Sequence, residues 1–284
     1  MERWRHIALT DAGLDSSLHE RNAATALASR ALLCFNAAMD VQINSGFRDP
    51  NLEAVVASAL GLTTSRLTPG RLLTLRELDG RRQGIKSLEG IERCCQLQEL
   101  CLEVNGISDV SPLATLPQLT MLSLTLNKIG DITPLAGLTH LTVLELGHNI
   151  ISDVNPLATL TQLQKLWIHD NRISDVTPLA GLTHLTLLDL GHNVISDLTP
   201  LAPLTQLQKL WIHDNRVSDV TPLAGLTHLT LLDLCYNQIS DIEPLMGLAR
   251  LAFLGIFDNP LDPCGRSAAA AAIRTLEHQG TDVY

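Results

Sequence analysis

Apolar residues recur along this chain in the arrangement L-x-x-L-x-L/I-x-x-N-x-I/V/L, and Asn closes it at 105, 127, 149, 171, 193, 215, 237 and 259, every 22 residues. The stretch Leu163 to Leu182, LQKLWIHDNRISDVTPLAGL, returns as Leu207 to Leu226 with one substitution. Within each unit the alternation is that of a short strand. Leu166 and Ile168 point inward, whereas Lys165, Trp167 and His169 point outward. Asn171 turns the chain, because a short amide can bond the backbone where a strand ends. Ile173 and Val176 return to the interior, Pro178 prevents a continuing ladder, and Leu179, Leu182 and Leu185 complete the apolar column. One unit cannot bury its own apolar face, but stacked neighbours can. The pattern predicts an α/β solenoid, right-handed and curved, with a parallel sheet on its concave face. Short 3-10 or irregular segments cover the convex face, and the Asn side chains stack into a buried ladder.

Nine repeats are expected over residues 75–261. The first is degenerate, with Leu75, Leu78, Gly80, Gln83 and Ile85 where Leu, Leu, Leu, Asn and Ile are usual. Eight regular strands follow, starting at Leu97, Leu119, Leu141, Leu163, Leu185, Leu207, Leu229 and Leu251. Residues 47–74 read as a helical cap. Asp49 suits the N-cap and Pro50 the first helical position, and Gly61 ends a stripe of Leu52, Val55, Val56, Ala59 and Leu60. A second helical turn is expected near Thr68-Pro69. Residues 262–284 form a C-terminal cap whose helix carries Ala269, Ala272, Ile273 and Leu276 and stops at Gly280. Residues 1–46 lie outside the repeat pattern, and the spacing of Ala24, Leu27, Ala28, Ala31 and Phe35 predicts a helix from about 18 to 39.

The half-repeat D-V/I-x-P-L-A-x-L-T-x-L, together with Pro260-Leu261 after the eighth Asn, resembles the 22-residue leucine-rich repeats of bacterial internalin-like proteins. It is similar, more distantly, to the repeats of a phosphatase-1 regulator. The resemblance spans about residues 47 to 280. It implies a leucine-rich repeat solenoid acting as a non-catalytic protein–protein interaction module. Two alternatives come with it: a secreted or surface recognition protein like the internalins, and a regulatory subunit docking on an enzyme such as a phosphatase.

Charge narrows the partner. The formal net charge is −10, and residues 97–259 alone carry six Lys/Arg against sixteen Asp/Glu. Residues 66–93 carry seven basic residues against four acids, so the N-terminal end is basic and the body acidic. An acidic solenoid lacks the Lys and Arg that hold phosphates, so the expected partner is another protein, not nucleic acid, engaged by a monomer. Cysteines stand at 34, 94, 95, 101, 235 and 264, with no C-x-x-C or Cys/His zinc spacing, which favours a reducing, cytoplasmic compartment. Secretion or surface display is the alternative if an export signal lies upstream. The stretch Ala31 to Met39 makes a poor signal peptide, and no apolar run is long enough to span a membrane.

Strands about 4.8 Å apart turn each outward position into a column across the sheet. The central column reads Asp79, Cys101, Ser123, Glu145, Trp167, Asp189, Trp211, Asp233, Gly255. The column before it contains Lys165, Leu187, Lys209 and Leu231, and the column after it His169 and His213, with Gly147 and Gly191 opening space beside the imidazoles. Trp167 and Trp211 fall about 10 Å apart, twice the strand spacing, with Asp189 between them. Exposed aromatics bounded by charge are what a binding hot spot requires. Copied packing is the competing reading, since segments 139–182 and 183–226 differ at only 7 of 44 positions. The expected partner-binding set is Trp167, Trp211, Leu187 and Leu231 at the centre. Lys165, Lys209, His169, His213, Glu145, Asp189 and Asp233 set orientation and charge.

No metal, cofactor or catalytic residue is assigned. His169 and His213 lie two strands apart, too far for one zinc. His148, Asp170, His192 and Asp214 alternate at the next position and read as a polar rim ladder, able to pair charges at acidic pH or to hold a divalent ion weakly. No nucleophile elbow, phosphate-cradling loop or metalloprotease motif occurs.

Overall fold

The computed structural model describes residues 46–262 and 267–284; the helix expected at 18–39 lies outside them. Nine three-residue strands recur at the repeat period: β1 (Glu77–Asp79), β2 (Glu99–Cys101), β3 (Met121–Ser123), β4 (Val143–Glu145), β5 (Lys165–Trp167), β6 (Leu187–Asp189), β7 (Lys209–Trp211), β8 (Leu231–Asp233) and β9 (Phe253–Gly255). A tenth, β10 (Asp282–Val283), completes one sheet in sequential order. All neighbours are parallel and in register, so Leu166 of β5 stands opposite Leu144 and Leu188. Opposite the strands, short 3-10 turns such as Asn155–Thr159 and Thr177–Gly181 open on Asn-Pro or Thr-Pro, where proline presets φ and donates nothing.

The core is a set of aliphatic columns between strands and turns. Leu166, Ile168, Ile173, Val176, Leu179, Leu182 and Leu185 of one repeat are all fully or almost fully buried. The Asn ladder exists and is more demanding than the pattern alone implies. The Asn193 amide nitrogen donates to the carbonyls of Ile168, Leu190 and Gly191, and its oxygen accepts from the Ile173 N–H at 2.9 Å. The same four bonds recur at Asn171, reaching Leu146, Ile168, His169 and Ile151. Each Asn thus stitches its repeat to the preceding one. The residue before each Asn, from Val104 to Asp258, sits in the left-handed region at φ between 51° and 58°, and Arg82 before Gln83 does the same at 57°. A side chain with a Cβ pays for that conformation, and the Asn bonds on either side hold it in place.

The caps follow from the same need to cover open ends. Helix α1 (Pro50–Ala59) begins at Asp49, whose Oδ1 accepts the N–H groups of Asn51 and Leu52. Its Oδ2 accepts those of Lys86 and Ser87, so one carboxylate caps the helix and ties it to the first repeat. Burial pushes the Asp49 pKa up, but the four backbone donors outweigh it and hold the carboxyl below its usual value. Leu52, Val56 and Ala57 are the buried face of α1; Ala59, expected in the stripe, is exposed, because the helix ends there and turns away. A Cβ on Gly80 would meet Leu102 at 3.0 Å and Ile85 at 3.2 Å, with Val55 of α1 beside them. Leu102 and Ile85, with Val55 of the cap helix beside them, thus close the space that a leucine side chain fills elsewhere, which accounts for glycine at this position.

Helix α2 (Pro69–Leu72) occupies the expected second turn. At the other end, helix α3 (Ala268–His278) buries Ala269, Ala270, Ala272 and Leu276. The tenth strand is the departure from the nine expected: beyond Gly280 the buried Thr281 donates to Leu251 O at 2.7 Å, and Asp282–Val283 pair with Phe253–Leu254. These residues lie outside the 22-residue period, so nothing in the repeat signals them.

Removing one Asn strands several buried polar groups at once, each worth about 1–3 kcal/mol. Asn193→Ala is expected to lower the urea-unfolding free energy by at least about 3 kcal/mol, and Asp197→Ala, at an exposed turn, by less. Equal losses in the two variants would refute the ladder's role.

Candidate functional site

The outward side of the sheet is built by the register itself. Glu145, Trp167, Asp189, Trp211 and Asp233 face one another in sequence across β4 to β8, and Val143, Lys165, Leu187, Lys209 and Leu231 form the parallel column. Nine of the eleven residues singled out from the sequence thus share one face, and His169 and His213, two residues past Trp167 and Trp211, join it through their contacts with Asp189 and Asp233. Their exposure differs from expectation, however. Both indoles are half-buried, not fully exposed, as are Leu187, Leu231 and the three carboxylates; Lys165 and Lys209 are exposed. A ring broader than the strand spacing must lie against its neighbours.

Much of the charge on this face is already engaged within the chain. Ser123, fully buried on β3, donates to Glu145 Oε2 at 2.7 Å and lies 3.1 Å from Glu103 Oε1. Asp189 Oδ1 accepts the Gly191 N–H and Asp233 Oδ1 that of Cys235, both at 3.1 Å. The other oxygen of each approaches an imidazole: His169 Nδ1 is 3.2 Å from Asp189 Oδ2, and His213 Nδ1 is 3.4 Å from Asp233 Oδ2. Neither contact is aligned as a hydrogen bond, and both Nδ1 atoms are shielded from solvent. Among the described residues, Lys165 and Lys209 make no ion pair.

The imidazoles lie where the neighbouring strand has no side chain. A Cβ on Gly147 would stand 2.5 Å from Cε1 and 2.7 Å from Nε2 of His169, and one on Gly191 would collide with His213. Each ring thereby reaches the histidine next to that glycine. His148 and His169 meet edge to face with centroids 5.0 Å apart, and His192 and His213 repeat the contact at 5.0 Å. The interaction with the Asp189 carboxylate raises the His169 pKa above its ordinary value against the opposing effect of burial.

Sequence reasoning missed one cluster. Tyr236 and Phe257 pack edge to face at 5.7 Å, and Phe253 and Tyr284 stack at 5.4 Å, at the C-terminal end of the sheet. Tyr236, Phe257 and Tyr284 are 51%, 58% and 67% exposed. Both tyrosines of the chain and two of its four phenylalanines meet here. Phe253 falls in the repeat register opposite Leu231, whereas Tyr284 joins only through β10.

A family profile described as Leucine Rich repeats (2 copies) matches residues 95–137, 117–159, 161–203 and 205–245, together more than half of the chain. Internalin C2 from Listeria monocytogenes is similar at 38% identity and a TM-score of 0.72, over 78% of this chain and 97% of that one. The chain belongs to the leucine-rich repeat family, and it is of the internalin type. A second Listeria monocytogenes internalin, InlF, is 28% identical with a TM-score of 0.50, over 87% of this chain and 91% of its own. The functional domain of InlJ from the same organism, which includes a cysteine ladder, is 28% identical with a TM-score of 0.62, over 79% of this chain and 53% of its own. No curated protein matches by sequence. The internalin-type fold is a protein-interaction module, and the family is in general non-catalytic. Among the described residues no helix is long and apolar enough to cross a membrane.

The raised His169 pKa makes a signed prediction. A histidine favoured in its charged form by the fold adds stability that is complete below its unfolded pKa, about 6.5, and is lost as pH rises through the folded value. NMR titration should place the His169 pKa above that reference in the native protein, and Asp189→Asn should lower it. An unchanged midpoint in the variant would mean that Asp189 does not act on the ring.

Proposed function

We propose that this internalin-type solenoid binds another protein through the outward, concave side of its sheet and catalyses nothing. The observation that carries this reading is the two half-buried indoles, held in register two strands apart with Asp189 between them. Leu187 and Leu231 widen the apolar centre. Lys165 and Lys209 supply unpaired positive charge, and the carboxylates Glu145, Asp189 and Asp233 supply negative charge already oriented by bonds within the chain. Rigid side chains lose little entropy on docking, and aromatic anchors give most of the affinity in such contacts. His169 and His213 sit beside the indoles as polar rim. The exposed aromatics at Tyr236, Phe257 and Tyr284 extend the same surface toward its C-terminal end.

The acidic body supports a protein partner over nucleic acid. The covered ends, α1 over the first strand and β10 with α3 at the last, support a monomer. For compartment, the free thiols that favour the cytoplasm carry little weight: burial pushes Cys94 up to about 12 and, with Asp233 beside it, Cys235 up to about 11, so both are inert in either setting. The internalin likeness supports secretion or surface display, and we take that as the reading.

The test is affinity capture with the whole chain beside the Trp167→Ala/Trp211→Ala variant, followed by measurement of affinity for the captured protein. A central anchor is worth at least about 2 kcal/mol, or roughly a thirtyfold loss of affinity, with the far-UV circular dichroism unchanged. Equal affinity of the two forms would refute the site. Capture of a phosphatase or another enzyme as the partner would convert the reading to a regulatory subunit.

A further inference from the structure

We propose that His148, His169 and Asp170 form a binding site for a divalent transition-metal ion of the zinc class. This goes beyond the docking reading and does not depend on it. One ligand atom from each of the three lies within 4.8 Å of the others. His148 Nδ1 and Asp170 Oδ2 are 3.2 Å apart. Two ligands on a tetrahedral zinc, at bond lengths of about 2.0–2.1 Å, stand roughly 3.3–3.4 Å from each other, so this pair lies close to the separation that a shared ion imposes. A shared ion would draw the three ligand atoms closer together than 4.8 Å, and His148 is the exposed member of the set.

The backbone places these groups by construction. His148 and Asp170 occupy the left-handed position of successive repeats, at φ 53° and 51°, and His148 N donates to His169 O at 2.9 Å. Their side chains therefore leave neighbouring strands in the same direction. His169 precedes Asp170 and reaches across the missing Cβ of Gly147 with Nε2 over that glycine, next to His148. Its Nδ1 is the atom near Asp189 Oδ2 at 3.2 Å, buried and without a hydrogen bond. A carboxylate behind Nδ1 leaves Nε2 as the nitrogen able to bind an ion, and such a carboxylate orients and strengthens a metal-bound imidazole. Two imidazoles and one carboxylate suit zinc, nickel or copper; calcium and magnesium require a shell of oxygens. The exposed side of the cluster leaves the fourth position to water or to a donor from a partner.

The 44-residue copy repeats the residue set: His192 Nδ1 lies 2.7 Å from Asp214 Oδ2, and His213 crosses Gly191 to meet His192. The test isolates the first cluster by working in the His192→Asn/His213→Ala background of the full chain, with no partner present. Asparagine tolerates the left-handed backbone, so the turn survives. After removal of metal with a chelator, zinc chloride is titrated calorimetrically, and imidazole resonances are followed by NMR. One zinc per chain is expected, shifting the His148 and His169 signals first. Adding His148→Asn or His169→Ala should weaken binding by more than the roughly tenfold expected of Asp189→Asn, whose carboxylate acts only through the ring. His140→Ala and His184→Ala, at turn histidines, should leave it unchanged. Absence of zinc binding at millimolar concentration, or binding indifferent to His148 and His169, overturns the proposal. Because only the metal is read, failure here leaves the docking face standing, and failure of the tryptophan variants leaves the metal site standing.

Discussion

Every outward feature of this protein depends on the asparagine ladder. Each strand is followed by a turn residue with positive φ, a conformation that costs an L-residue about 1–2 kcal/mol, and eight of these, from Val104 to Asp258, stand directly before a ladder asparagine. What holds it is the amide that follows, which accepts the N–H of one repeat and donates to carbonyls of two. The buried turns would otherwise carry unpaired backbone groups, each more costly than the bond it lacks. Because the amides recur at one spacing, the strands stack in register, and side chains 22 residues apart become neighbours.

On that lattice, chemistry alternates every second strand. Trp faces Asp along the central column, and His faces Gly along the next. The two alternations depend on each other. An imidazole can lean over the preceding strand only where that strand lacks a Cβ, and its Nδ1 then faces the aspartate of the following strand, on its other side. A single-repeat period could not provide this, since the residue that needs room and the one that makes room must differ. At the C-terminal end the alternation stops, and Cys235, Phe257 and Tyr236 replace the His–Gly pairing with exposed aromatic surface.

The ends show how a solenoid closes without a second layer. Asp49 caps its helix with one oxygen and accepts from the first repeat with the other, so the cap is fixed to the stack by a group it needs anyway. At the far end, α3 covers the last apolar column, and β10 takes up the hydrogen bonds that β9 would leave open. Both devices protect the strand edges that otherwise invite unplanned pairing.

The sequence by itself determined the period, the inward positions of each repeat and the register of the outward strand columns. These follow from spacing alone, because a strict 22-residue repeat maps each position onto its neighbour. Tertiary structure decided what spacing cannot express. His148 and His169 are 21 residues apart, not 22, and meet only because a left-handed turn and a missing Cβ bring different positions of adjacent repeats together. The indoles are half-buried because their width exceeds the strand spacing, and Glu145 is engaged because Ser123 lies beside it. The tenth strand and its stacked Tyr284 belong to a tail with no period at all, so only the closed end of the sheet could place them.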